Sequence, residues 1–273
     1  FPNLIGDSPA LAQVRAWLKE VAPTELHALL VGEEGTGKRL VAGMLHHNSR
    51  RRNGVLVDLR CSALPPRQLA RELFGTPSSG SRARRPGRLE QASEGTLFLD
   101  DLTHLPIDLQ ERVADLLRTR LLRPAIDGEA IDIRPRIVAA CESDPRGLVE
   151  SGRLDEGLVE ILAEARLELP PLRFRRRDIV PLARHFLSEI GREQDRPIRF
   201  FRDVLDGLVA YDWPGNVSEL RQVVHELADL GSAHGRIEPE DLPEALREAP
   251  AGQGLRDLPP GVTLADLERR AIE

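Results

Sequence analysis

The chain has few of the features that announce a compartment or a cofactor. Only two cysteines occur in 273 residues, Cys61 and Cys141, far apart and without a C-x-x-C partner. That excludes a disulfide framework and a cysteine-built zinc site and leaves reduced, buried thiols as the expectation. No apolar stretch approaches the ~20 residues needed to cross a bilayer, and Phe1 opens onto a polar segment rather than a secretory leader. A cytoplasmic protein without membrane association is therefore expected. Charge of one sign is not in excess: 38 Lys and Arg stand against 44 Asp and Glu, a formal net charge of -6, so any basic surface for nucleic acid must be local. No internal repeat is visible. A chain of this length buries roughly three quarters of its extended surface, enough for one medium and one small domain.

What is present is a buried-strand pattern running into a glycine-rich loop. His27-Ala28-Leu29-Leu30-Val31 is followed by Gly32-Glu33-Glu34-Gly35-Thr36-Gly37-Lys38-Arg39, and then by the helical pattern Leu40 to Leu45. Glycines at 32, 35 and 37 let successive backbone N–H groups turn toward a polyphosphate, Lys38 supplies charge for the terminal phosphates, and the next helix presents its positive end. This is the P-loop arrangement. Gly32, Gly35, Thr36, Gly37, Lys38 and Arg39 are the candidate residues for ATP or ADP, with Asp100 holding Mg²⁺ through water.

Short apolar runs alternate with helical patterns through roughly the first 170 residues, which predicts a mostly parallel sheet covered on both faces. Strands are expected at His27 to Val31, Val55 to Leu59, Thr96 to Leu99 and Arg136 to Ala140, with a crossover helix from Pro106 to Leu122. Beyond Leu169-Pro170-Pro171-Leu172 the β-branched runs stop. Helices are expected at Ile179 to Ile190, Asp203 to Tyr211, Val217 to Leu230 and Pro239 to Leu246, forming a small all-helical domain. The expected division is 1–170, 171–248, and a Gly/Pro-punctuated linker at 249–273 in which Thr263 to Ala271 begins another helix.

These residues resemble one family closely, the AAA+ domain of bacterial enhancer-binding transcription regulators that remodel sigma-54 polymerase. The landmarks are Asn3-Leu4-Ile5-Gly6, GEEGTGKR at 32 to 39, Ala63-Leu64-Pro65, and Glu72-Leu73-Phe74-Gly75. They continue with GTLFLDD at 95 to 101, LPPLRFRRRDI at 169 to 179, and Tyr211-Asp212 followed by WPGNVSEL. The resemblance implies an α/β P-loop AAA+ parallel sheet flanked by helices, followed by a helical lid domain. It also implies a sensory domain before this region and a helix-turn-helix DNA-binding domain after it. DNA would be contacted through that missing C-terminal domain, with RNA polymerase or a sigma factor as a further partner.

Several positions depart from the family pattern. Its Walker B strand ends in Asp-Glu, where the Asp holds Mg²⁺ and the Glu polarises the attacking water; here the pair is Asp100-Asp101. Shortening the base retracts the carboxylate by roughly an ångström, a displacement that can cost ~10²-fold in rate. Asp101 is thus the candidate catalytic residue, with weak or absent activity expected. The family restrains its catalytic Glu with an Asn at the position of Arg60, and an Arg there can pair with Asp101 instead. The sensor strand, Thr-Asn in the family, reads Cys141-Glu142. The arginine fingers of G-R-F-R-E-D-L-Y-Y-R-L fall on Asp155 and Ile161, and the lid arginine falls on Ser218. Arg221 lies almost one turn later and faces another way. Arg39 stands where many P-loops carry a Mg²⁺-ligating hydroxyl, a departure this family often shares.

The family's G-A-F-T-G-A loop is replaced by Thr76 to Arg88, a shorter Gly/Pro/Ser-rich run with Arg82, Arg84, Arg85 and Arg88. Conventional sigma-54 engagement is therefore not expected, and the basic run reads as a solvated loop, with polymerase, DNA or a nucleotide second messenger as alternative partners for it. Arg173 and Arg175 to Arg177 are expected to organise the interdomain joint. His46 and His47 are expected at the surface, and Trp17 and Trp213 in the two domain cores. The reading is a degenerate AAA+ regulatory domain, a nucleotide- or ligand-responsive scaffold that self-associates as a dimer up to a hexamer. A working sigma-54 ATPase, a cyclic-dinucleotide-binding module and a purely structural oligomerisation domain stay open as alternatives.

Overall fold

The computed structural model describes residues 1, 3–76, 84–122, 130–195, 198–231 and 235–247. Arg82 and the linker and helix expected at 249–273 lie outside the described residues. The chain divides into two compact units. One comprises Phe1–Pro171 together with Gly215–Ser218; the other takes Leu172–Pro214 and the described residues from Glu219 onward.

The first unit is built on five parallel strands: β1 (Ala28–Val31), β2 (Leu56–Arg60), β3 (Thr96–Asp100), β4 (Arg136–Cys141) and β5 (Arg166–Glu168). Their order across the sheet is β2-β3-β4-β1-β5. The four expected strands are present, each shifted by one residue at one or both ends. The fifth was not foreseen. Arg166-Leu167-Glu168 offers a single apolar residue between two charges, and it becomes a strand by pairing along β1, with Leu30 opposite Leu167.

Strand alternation divides the core into two layers. Leu29, Val31, Val57, Leu59, Leu97, Leu99, Ile137 and Ala139 face one side, with Leu69, Leu73, Val113, Leu158 and Leu162 packed against them. Those five come from helices α3 (Pro66–Phe74), α4 (Ile107–Thr119) and α5 (Glu156–Leu162). Ala28, Leu30, Phe98, Val138 and Ala140 face the other side, against α1 (Pro9–Val21) and α2 (Lys38–His47). Trp17 packs partly buried on this second layer, as expected.

Burying both faces of a parallel sheet leaves some polar groups near strand ends without water, and these need protein partners. Arg136, 1% exposed, provides several. Its guanidinium donates to the carbonyls of Val21 at 2.9 Å, Ala22 at 3.2 Å and Leu26 at 2.9 Å, tying β4 to the end of α1 and the turn that follows it. His46 is a correction to the surface expectation: it is buried, with Nδ1 2.9 Å from Thr96 Oγ1, because its helix face meets the start of β3. His47 does lie at the surface.

The crossover helix ends earlier than expected. Arg120 takes a left-handed conformation, φ 61°, which closes α4 at Thr119 and lets Leu121–Leu122 pair antiparallel with Ile131–Asp132.

The second unit holds α6 (Ile179–Glu193), α7 (Arg202–Ala210), most of α8 (Asn216–Gly231) and the short α9 (Glu244–Arg247). It is not purely helical. Arg199–Phe200 pairs in parallel with Arg236–Ile237, two residues each, too short to produce any sequence period. Trp213, fully buried, donates its indole N–H to Leu208 O at 2.8 Å and meets the Tyr211 ring edge-on at 5.2 Å. Arg176 donates to the carbonyls of Val209, Ala210 and Tyr211 at 2.6, 2.9 and 3.1 Å and pairs with Asp212, closing the end of α7. Among the described residues no helix is long and apolar enough to cross a membrane.

Candidate functional site

The loop from Gly32 to Gly37 leaves β1 and enters α2 at Lys38. Gly32, Gly35 and Gly37 have φ of 157°, 76° and 104°, and all three are disfavoured for a side chain. Two of them also lack room. A Cβ on Gly32 would stand 2.6 Å from Leu169 O, and one on Gly35 would stand 2.2 Å from Gly215 O. Gly37 differs, since a Cβ there would meet nothing within 4 Å. Its backbone faces open space at the first turn of α2, the arrangement that exposes helix N-terminal amides to an anion.

The side chains of the loop are held inward. Lys38, 7% exposed, donates Nζ–H to Gly32 O at 2.6 Å and Glu33 O at 2.9 Å. Thr36, buried, donates its hydroxyl to Glu33 O at 2.8 Å. Arg39 goes elsewhere. Its guanidinium pairs with Asp58 on β2, Nε to Oδ2 2.6 Å, so this residue offers the loop its backbone N–H rather than its charge.

One brace of the loop was not read from the sequence as such. Asn216, fully buried with φ 55°, donates its amide to Glu34 O at 2.9 Å and to Glu33 Oε2 at 3.2 Å. The Val217 N–H also reaches Gly35 O at 3.0 Å. The signal was present in WPGN, where an Asn follows Pro-Gly at a helix start, but its partner lies 182 residues earlier.

Two strands away, β3 ends in the acidic pair. Asp100 is buried at the strand's last position, and Asp101 follows in a left-handed conformation with φ 55° and ψ 51°. The Asp101 carboxylate accepts from Ser62 Oγ at 2.5 Å. Parallel pairing sets Arg60 beside Asp100 in register. Arg60 Nη2 lies 3.5 Å from Asp100 Oδ2, and its Nε lies 4.0 Å from Asp101 Oδ2. Arg60 thus serves both carboxylates and approaches Asp100 more closely. Burial raises the Asp100 carboxyl above the ordinary range; Asp101 and Asp58 add to the rise, while Arg60 and Lys38 oppose it.

The remaining positions singled out in the sequence each have surroundings of their own. Burial pushes the Cys61 thiol up to about 12 and Cys141 up to about 11, so both stay neutral thiols, and neither is in a disulfide. Glu142, just past β4, is exposed. Asp155 caps α5 by accepting from the Leu158 N–H at 2.7 Å, and Ile161 packs half-buried against the core. Arg221 lies along its own unit, 3.9 Å from Glu189 and 5.6 Å from the Phe186 ring centre. In the basic loop Thr76 and Arg85 form an antiparallel bridge, Arg84 pairs with Glu90, and Arg88 pairs with Glu72 while donating to Asp58 O.

A glycine loop after a central strand, an acidic strand end two places away, the order β5-β1-β4-β3-β2 and a helical unit to follow define a P-loop NTPase fold of the AAA+ class with a helical lid. The description "Sigma-54 interaction domain" matches residues 4–168, and "AAA+ ATPase lid domain" matches residues 173–257. The chain belongs to the sigma-54 interaction family of AAA+ domains.

It is 35% identical over 256 residues to regulatory protein AtoC of Escherichia coli (strain K12), covering 92% of this chain and 55% of AtoC. With the sigma54-dependent transcriptional activator SfnR of Pseudomonas putida it shares 36% over 262 residues, 92% of this chain and 71% of SfnR. With NtrC of Azospirillum brasilense it shares 39% over 241 residues, 84% of this chain and 48% of NtrC. The chain therefore spans about half of two of these relatives and 71% of the third. Among solved structures, NtrX from Brucella abortus in complex with ADP superposes with a TM-score of 0.82 at 29% identity, over 90% of this chain and 56% of NtrX. NtrX in complex with ATP gives the same score over 89% and 57%.

Proposed function

We propose that this chain is the central domain of a DNA-binding bacterial transcription regulator that holds a nucleotide without turning it over productively, and so acts as a nucleotide-responsive scaffold. Its boundaries in this reading are 1–170 for the α/β domain, 171–248 for the lid, and 249–273 for a linker toward a DNA-binding domain.

The loop fits a polyphosphate. Gly37 faces open space at a helix start, and a buried Lys38 ammonium is held beside it by two carbonyls. Gly32, Gly35, Thr36, Gly37, Lys38 and the Arg39 N–H would hold ATP or ADP, whose triphosphate brings the charge the loop is built to neutralise. NtrX, at a TM-score of 0.82, has been captured with both nucleotides, which supports this assignment. Mg²⁺ fits less well. Asp100, the residue that would hold it through water, already faces Arg60 at 3.5 Å.

The observation that carries the scaffold reading is the state of Asp101. A general base needs a carboxylate aimed at the water it activates. Asp101 is one methylene shorter than the family's Glu, is turned by a left-handed backbone, and is engaged by Ser62 and Arg60. Asp155 and Ile161, at the finger positions, offer no cation to a neighbouring subunit, a loss worth ~10³ to 10⁵ in rate where such fingers act. Self-association from dimer to hexamer and contact with RNA polymerase or a sigma factor belong to the same reading and take place in the cytoplasm.

The test is ATP hydrolysis across a wide protein-concentration series, with Lys38→Ala and Asp101→Ala alongside. The expected turnover of the unmodified chain equals that of both variants, and Asp101→Glu alone does not raise it. Turnover that climbs with concentration and vanishes in both variants overturns the proposal and restores a working intersubunit ATPase.

A further inference from the structure

Divalent metal in a P-loop site does two electrostatic jobs: it offsets the phosphates and shields them from the acidic strand end. In this chain that acidic end already carries counter-charge of protein origin. The groups acting on Asp100 are Asp101 and Asp58 on one side and Arg60 and Lys38 on the other. Asp58 is in turn paired with Arg39 at 2.6 Å. Each of the three carboxylates thus lies within 4.0 Å of a guanidinium, which leaves Lys38 for the phosphates.

The match arises from position, not composition. Arg60 is the last residue of β2 and lies in register with Asp100, the last residue of β3. Its side chain is 54% exposed, against 10% for Asp100, so the guanidinium sits over the carboxylate from the solvent side. Arg39 is the second residue of α2, next to Lys38, where many P-loops carry a metal-ligating hydroxyl, and it spans to Asp58 instead. The carboxylate that would face the ion already faces a guanidinium, and that pairing, rather than the residue at 39, sets this site apart.

We infer that the nucleotide site of this chain works without a divalent cation, with Arg60 taking over the metal's charge-shielding role. This rests on the reading that the P-loop holds a nucleotide. Arg60 acts on binding only. A guanidinium that shields the strand end electrostatically lets phosphates approach whether or not Mg²⁺ is present, and it competes with Mg²⁺ for Asp100.

The experiment titrates a fluorescent ADP analogue into the chain in EDTA and again in excess Mg²⁺, for the unmodified protein, Arg60→Asn and Arg60→Lys. The expected dissociation constant of the unmodified chain differs by less than about threefold between the two conditions. Arg60→Asn is expected to lose about tenfold in EDTA and to recover most of it in Mg²⁺, while Arg60→Lys, which keeps the charge, stays within about threefold of the parent. Thermal unfolding of each variant checks that the half-exposed substitution leaves the fold intact. Binding by the unmodified chain that needs Mg²⁺ overturns the inference alone, as does an Arg60→Asn curve unchanged in EDTA. Absence of saturable binding in either condition overturns the nucleotide reading itself.

Discussion

The ends of β1 and β3 lie two strands apart in one sheet and are held by different physics. The loop after β1 is braced by backbone and buried groups: Gly32 lies against Leu169, Gly35 against Gly215, and Asn216 bonds to Glu33 and Glu34. The end of β3 is held by side-chain ion pairs and one hydroxyl, with Arg60 half in solvent. Close packing tolerates little change, because any added atom must displace backbone. Ion pairs with a half-exposed guanidinium tolerate more, because solvent screens them and their net contribution is modest.

The largest effect expected from this contrast comes at the packed end. Gly35→Val places side-chain atoms where Gly215 O stands 2.2 Å away and forces a β-branched residue to φ 76°. A destabilisation of about 4 kcal/mol is expected from clash and left-handed strain together, read as a fall in the chemical-denaturation midpoint. A loss near zero would mean that the loop is not braced as described.

Next comes pH. His27, immediately before β1, accepts a hydrogen bond from the Ile137 N–H at 3.1 Å, and burial, with Arg136 and Arg51, lowers its pKa from 6.5 to about 4. The folded state thus disfavours the proton that the unfolded chain accepts below 6.5. Its contribution is complete above that value and is lost as pH falls from 6.5 toward 4, amounting to about 3 kcal/mol at most. Denaturation midpoints between pH 7 and 4 should show this slope, and His27→Gln should flatten it.

Two smaller changes compare the braces directly. Asn216→Ala removes two hydrogen bonds and a residue suited to φ 55°, and is expected to cost about 2 kcal/mol. Ser62→Ala removes the hydroxyl that engages Asp101 at an exposed site and should change stability by less than about 0.5 kcal/mol. Equal effects in a thermal melt would erase the distinction between the two strand ends.

The elements that were legible are those written in contiguous residues. Four strands showed as apolar runs ended by Gly, Pro or charge, and the three longer helices of the second unit showed as apolar residues at helical spacing, whereas the helix expected at Pro239 to Leu246 is a 3-10 turn at Pro239–Asp241 followed by a short helix at Glu244–Arg247. The fifth strand was not legible, since Leu167 between Arg166 and Glu168 gains its state only from β1. The pair Arg199–Phe200 with Arg236–Ile237 was hidden for the same reason. His46 was misplaced because adjacent histidines at a helix end do not reveal which one meets a sheet. In the candidate site, pairing of Arg60 with Asp101 was anticipated, but its closer approach to Asp100 and the capture of Arg39 by Asp58 were not.

By itself the sequence determined the glycine pattern after β1, the lysine at the helix start, the acidic strand end and the change from strand to helical periods near Pro170. These follow from backbone conformation and local side-chain spacing, which act over a few residues. Only the tertiary structure decided which charges meet. Arg60 reaches Asp100 through the register of two parallel strands, and Asn216 reaches Glu34 from 182 residues away. Those partnerships depend on how distant segments pack, and a guanidinium chooses among carboxylates by the few ångströms that packing sets.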